Sequence, residues 1–94
     1  MVSKMYEIGS AGESYWFVAE NEDNAIWLFY NYLLGIYGDP SFNAYTMSRN
    51  IEIICVDIGK ELTKNYPAHG ESVALKASEW VMVNGDGFLM TTAV

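Results

Sequence analysis

Between Tyr15 and Tyr37 a strand-like stretch passes into a helix-like one that is apolar on every side, and this run constrains the fold more than any other part of the chain. It carries Tyr15, Trp16, Phe17, Trp27, Phe29, Tyr30, Tyr32 and Tyr37, more than half of all the aromatic residues. A surface helix of a small domain has one apolar stripe and one polar face. Here Ala25, Phe29, Tyr32, Leu33 and Ile36 make a core stripe, while Trp27, Tyr30, Asn31 and Leu34 lie opposite it. Each large side chain left in water forgoes about 1.5–3 kcal/mol of burial. The second side of this helix therefore calls for a cover, supplied by this chain or by another molecule.

Local signals place the elements around that run. Asn21 reads as the N-cap, with Glu22 and Asp23 in the first turn, where the helix dipole favours negative charge. No Glu stands three residues after the cap, so the full capping box is missing. Gly38 and Pro40 suit the C-terminal end near Tyr37. Before the helix, Ser14–Glu20 reads as a central strand, since Tyr15, Phe17 and Ala19 on one face and Trp16 and Val18 on the other are all apolar. Lys4–Ile8 alternates less clearly and reads as an edge strand, followed by a turn at Gly9–Gly12. Residues 38–50 read as a polar loop containing Phe42 and Tyr45. Ile51–Asp57 reads as a second clear strand, with Ile51, Ile53 and Cys55 on one face. Lys60–Tyr66 is ambiguous, and Pro67–Ser72 reads as a loop.

Two readings compete for the tail. Trp80–Val83 and Phe88–Met90 flank Asn84-Gly85-Asp86-Gly87 as a hairpin would. Alternatively, Val73, Ala77, Trp80, Val81 and Asn84 follow helical spacing, with Gly85 as the C-cap and a strand returning over Phe88–Thr92. Either way the expectation is one α+β domain over residues 1–94: a small antiparallel or mixed sheet of about four strands, one main helix on one face, and room for a second short helix near the C-terminus. Two layers are expected.

Composition narrows the function classes. A formal charge of −7, with Lys4, Arg49, Lys60, Lys64 and Lys76 scattered, argues against direct nucleic-acid binding, which needs clustered cations. The longest apolar run, Ala25–Tyr37, is too short to span a bilayer, so no membrane association is expected. Met1–Tyr6 has no apolar h-region and reads as a mature end rather than a signal peptide. The single cysteine allows no internal disulfide, which fits a cytoplasmic location.

Catalytic signatures are absent from the sequence, and no enzyme activity, cofactor or metal is expected. Cys55, inside an apolar strand, reads as a buried and inert thiol, and His69 as a solvated loop residue. One His and one Cys do not build a typical zinc site. Asn84-Gly85-Asp86-Gly87 reads as turn chemistry, since no Glu follows to complete a calcium loop and no Lys to complete a phosphate loop. Asp57 and Glu61 stand four residues apart, with Lys60 and Lys64 among them, as on a solvated face.

Two segments carry a resemblance. Ala77-Ser78-Glu79-Trp80, with Asn84-Gly85-Asp86-Gly87-Phe88-Leu89 and Thr91-Thr92 after it, is similar to the ending of small uncharacterised phage and mobile-element proteins. Trp16-Phe17-Val18-Ala19-Glu20, leading into Ala25, is similar to the same group. The resemblance implies a short helix and then a strand at the C-terminus. It also implies a protein that binds and blocks a host defence protein, as anti-CRISPR proteins do.

The expected site is thus a protein-binding one. Glu13, Glu20, Glu22 and Asp23 are expected to ring an aromatic patch of Trp27 and Tyr30, steering the chain to a host protein with a basic surface. In a second reading the helix back face, Trp27, Tyr30, Asn31 and Leu34, pairs with its own copy as a homodimer, with Asn31 fixing the register. In a third, the segment around Trp80 folds over Trp27 and buries it within the chain. A small-molecule pocket lined by Tyr and Trp also stays open.

Overall fold

Ala11 and Gly12, with φ of 52° and 81°, form the two-residue turn that joins β1 (Lys4–Ser10) to β2 (Glu13–Ala19). Left-handed conformation at both central residues gives the turn the twist of the strands it connects. The computed structural model describes residues 2–37 and 51–92; the loop and C-cap expected over 38–50 lie outside them. Ser10 pairs with Glu13 and Lys4 with Ala19, so the hairpin is in register along its whole length.

From Ala19 the chain enters α1 (Glu22–Tyr37). Asn21 caps it as expected: its Oδ1 accepts from the Asn24 N–H at 2.9 Å, and its carbonyl from the Ala25 N–H at 3.1 Å. The chain returns to the sheet as β3 (Glu52–Cys55), then forms a separate hairpin of β4 (Glu61–Tyr66) and β5 (Glu71–Lys76) around a 3-10 turn at Pro67–His69. α2 (Ala77–Asn84) and β6 (Gly87–Thr91) complete it. The helical reading of the tail is realised from Ala77 on, while Val73, expected to share that spacing, lies in β5. Glu79 accepts from the Lys76 backbone N–H at 2.9 Å at the start of α2, and the Gly85 N–H reaches the Val81 carbonyl at its end.

The main sheet is antiparallel, with order β3-β1-β2-β6. The α+β class, the four-stranded sheet and the main helix with a shorter second one are as expected. Three expectations are corrected. β1 is an interior strand, not an edge, because it pairs with β2 on one side and β3 on the other; Tyr6 and Ile8 pack toward α1, and Met5 packs into the other layer. Lys60–Tyr66 and the residues after it form a second, two-stranded sheet. The layers therefore number three, since α2 and the β4–β5 hairpin cover the sheet face that α1 leaves free.

Two cores follow from this sandwich. On the α1 side, Tyr6, Ile8, Tyr15, Phe17 and Ala19 meet Ala25, Phe29 and Leu33. Their rings interlock: Tyr15 and Phe29 lie 4.8 Å apart, Phe17 and Phe88 5.6 Å, and Tyr32 stacks on Phe88 at 4.4 Å. On the opposite side, Met5, Val18, Val56, Leu62, Ala77, Trp80 and Leu89 pack together. A bulge between Trp16 and Phe17 shifts the β2–β6 register, so Phe88 joins the first core while Leu89 and Met90 join the second.

Candidate functional site: the acidic end and its neighbouring groove

Trp80 does not cover Trp27. Its indole Nε1 donates to the Leu62 carbonyl at 2.8 Å inside the second core, and Trp27 stays 65% exposed on the outer side of α1. The covering reading is thereby overturned. The back face of α1 is nonetheless less apolar than its sequence suggests. Tyr30 and Leu34 are half-buried and lean on the first core. Asn31 is exposed, and its Nδ2 donates to the Trp27 carbonyl at 2.8 Å within the same helix. That amide finds its partner locally, which weakens its part as a register-fixing residue between two copies.

Of the four carboxylates expected around Trp27, the fold gathers three. Glu20, Glu22 and Asp23 are all exposed where β2 gives way to α1, and Asp23 lies one turn before Trp27. Glu13 stands at the other end of β2, six residues from Ala19, which places it about 20 Å away at the rise of a strand. Its Oε2 accepts from the Thr92 hydroxyl at 2.6 Å. Glu13 belongs to the C-terminal end of the sheet and not to the acidic corner.

Tyr6, buried in the first core, pairs across the strands with Cys55. Burial pushes the Tyr6 phenol above its usual value, and the neighbouring Cys55 and Glu22 push it the same way, since all three disfavour the phenolate. Cys55 itself is exposed, contrary to the buried thiol expected. Its strand lies at the sheet edge, and alternation alone does not reveal an edge.

Two features escaped sequence reasoning. The first is a groove of about 590 Å³ on the sheet face opposite α1, between the start of β1, the end of β3 and α2. Val2, Met5, Val56, Ile58, Val81 and Met82 give it an apolar wall, with Lys4 and Asp57 at its rim. Ile58 is 73% and Met82 86% exposed. The signal was present: Val81-Met82-Val83 makes α2 apolar around most of its girth, the same anomaly that marks α1. The second is a groove of about 790 Å³ between β6 and β4, lined by Trp16, Tyr32, Leu62, Lys64, Phe88 and Met90 among others. There the Trp16 Nε1 is buried and makes no hydrogen bond.

His69 is exposed in the 3-10 turn of the β4–β5 hairpin, and Cys55 is on β3 of the other sheet. Among the described residues no three His, Cys, Asp or Glu side chains gather as a metal site would require. Asn84–Gly87 joins α2 to β6, with Gly85 and Gly87 at φ of 70° and 132°, and Asp86 accepts from the Ser3 hydroxyl at 2.5 Å. No described helix is long and apolar enough to cross a membrane. Comparison with family models, with curated proteins and with solved structures finds no match, so the reading of the site rests on its own residues.

Proposed function

We propose that this chain is a non-enzymatic interaction domain that docks on a basic surface of another protein through the acidic end of α1. The observation that carries the reading is Trp27, a large aromatic side chain 65% exposed beside the exposed carboxylates of Glu22 and Asp23. Aromatic anchors inside a charged rim supply much of the energy of protein interfaces. The net charge of −7 adds long-range steering toward a cationic partner and repels nucleic acid. Blocking of a host defence protein, the role implied by the resemblance to small phage and mobile-element proteins, is the biological form of this reading.

The test immobilises the native protein, a Trp27→Ala variant and a Glu22→Lys/Asp23→Lys variant, and exposes each to host lysate. The expected result is a protein retained by the native chain, released by salt and lost from both variants. Equal retention by all three removes the reading.

A further inference from the structure

The β4–β5 hairpin has two unlike halves. Along its core-facing side the cross-strand pairs lose apolar content from base to tip. Buried Leu62 stands opposite half-buried Leu75, then Lys64 opposite Val73, and at the tip Tyr66 opposite Glu71. The base is fastened to the rest of the molecule. Trp80 Nε1 donates to the Leu62 carbonyl at 2.8 Å, and the Ala77 N–H donates to the Lys60 carbonyl at 2.8 Å. The polar contacts of the outer half join the hairpin to itself. Ser72 Oγ donates to Asn65 Oδ1 at 2.6 Å, and Lys64 Nζ lies 5.3 Å from the centre of the Tyr66 ring. Beyond the Leu62–Leu75 pair, Val73 is the one side chain of the hairpin that packs against the second core. A two-stranded hairpin with little core behind it is marginally stable in water.

The same hairpin is one wall of the groove of about 790 Å³: residues 61–65 line one side, and residues 88–92, from β6 and the position after it, line the other. The β6 wall is anchored along its length. It pairs with β2, Leu89 is fully buried in the second core, and the Thr92 N–H and the Thr91 hydroxyl both donate to the Ser14 carbonyl, at 3.0 and 2.8 Å. We infer that this groove has one fixed wall and one movable wall: β6 stays in place, while the β4–β5 hairpin beyond the Leu62–Leu75 pair opens on its own with both cores intact. The Leu62–Leu75 pair, held by Trp80, is the hinge. Opening beyond it withdraws only Val73 from the second core, so it costs far less than unfolding the sheet. The groove therefore widens and narrows from the β4 side alone, and its breadth is set by how far the hairpin stands open.

The experiment is amide hydrogen exchange on the native chain, resolved residue by residue by NMR, without urea and at urea concentrations below the unfolding transition. Amides bonded across β4–β5 between Thr63 and Ala74 are compared with amides bonded across β1–β2 and across β2–β6, each relative to its rate in an unstructured peptide. The hairpin amides are expected to be protected at least about a hundredfold less than those of the β1–β2 and β2–β6 ladders, as local opening differs from global opening. Their exchange should respond weakly to urea, because little surface is exposed, while the sheet amides accelerate with the slope of global unfolding. A difference below about tenfold, with one urea slope for hairpin and sheet, means that the hairpin opens only with the whole molecule and overturns the inference. Amides of β6 as weakly protected as those of the hairpin mean that the groove has no fixed wall, and overturn it as well.

Discussion

The Trp80 indole reaches across 18 residues of sequence to donate a hydrogen bond to the carbonyl of Leu62, and both residues are buried in the second core. α2 is thereby tied to β4, an element that is otherwise a mostly exposed hairpin. Trp80→Phe keeps most of the packing but removes the indole's hydrogen bond to a carbonyl that Leu75 also faces across the β4–β5 ladder. A loss of about 0.5–1.5 kcal/mol is expected in urea unfolding, the net worth of one hydrogen bond. A change below about 0.3 kcal/mol would mean that the ladder alone satisfies this carbonyl.

Ala11 holds φ at 52° in the β1–β2 turn, a conformation that costs a non-glycine residue about 1–2 kcal/mol. Ala11→Asn or Ala11→Gly should relieve part of this, raising the thermal midpoint by several degrees at the scale of about 4–8 °C per kcal/mol for a domain of this size. An unchanged or lowered midpoint in differential scanning calorimetry would show that the strain is absent in solution.

Trp27 and Phe29 stand two residues apart on α1 with opposite fates. Phe29 is fully buried against Tyr15 and Phe17, so Phe29→Ala should cost about 3–5 kcal/mol. Trp27→Ala should move stability by no more than about 0.5 kcal/mol, as exposed substitutions do, while abolishing partner capture. A large destabilisation by Trp27→Ala would reassign it to the core.

Tyr6 should make the fold sensitive to alkali. Its phenol is raised first by burial, then by Cys55 and Glu22. The unfolded chain therefore ionises Tyr6 at lower pH than the folded one. The stabilisation is complete below the unfolded value of about 10 and is lost as pH rises toward the folded value. Tyr6→Phe should flatten the fall of stability above about pH 10, measured by urea unfolding across the alkaline range. An equally steep fall in the variant would assign it to other groups.

Asn21→Ala removes the Oδ1 that accepts from Asn24 and should cost about 0.5–2 kcal/mol. Asn21→Asp should keep the stability, since a carboxylate caps the same donor and suits the helix dipole. Loss by both variants in chemical denaturation would point to the Nδ2 group instead.

What the sequence revealed and what it hid have physical reasons. α1 and β2 were legible because their signals are local: a cap residue, acids in the first turn, and apolar residues on both faces of a strand. β1 was misread as an edge because Glu7, half-buried on the second face and 3.4 Å from the Ser14 hydroxyl, breaks an otherwise interior pattern. The β4–β5 hairpin was hidden because Leu62 is the only buried side chain among the described residues of its two strands, which carry little apolar alternation. For the candidate site, the acids at Glu20, Glu22 and Asp23 were visible from their spacing. The separation of Glu13 needed the strand between them to be laid out in space. The groove was hidden because α2, at eight residues, is too short for its apolar girth to stand out in the sequence.

The two-residue turn at Ala11-Gly12 has a wider consequence than local strain. β1 and β2 send alternate side chains into two different cores, so the turn decides which residues go to which. A slip of β2 by one position against β1 would send Tyr15 and Phe17 to the α2 side and Val18 to the α1 side while Tyr6, Ile8 and Met5 stay, so both interiors would lose matched halves at once. A single residue inserted after Ala11 that shifts the pairing would thus set one strand against the other, and correct pairing of this hairpin is the decision on which every later packing step depends.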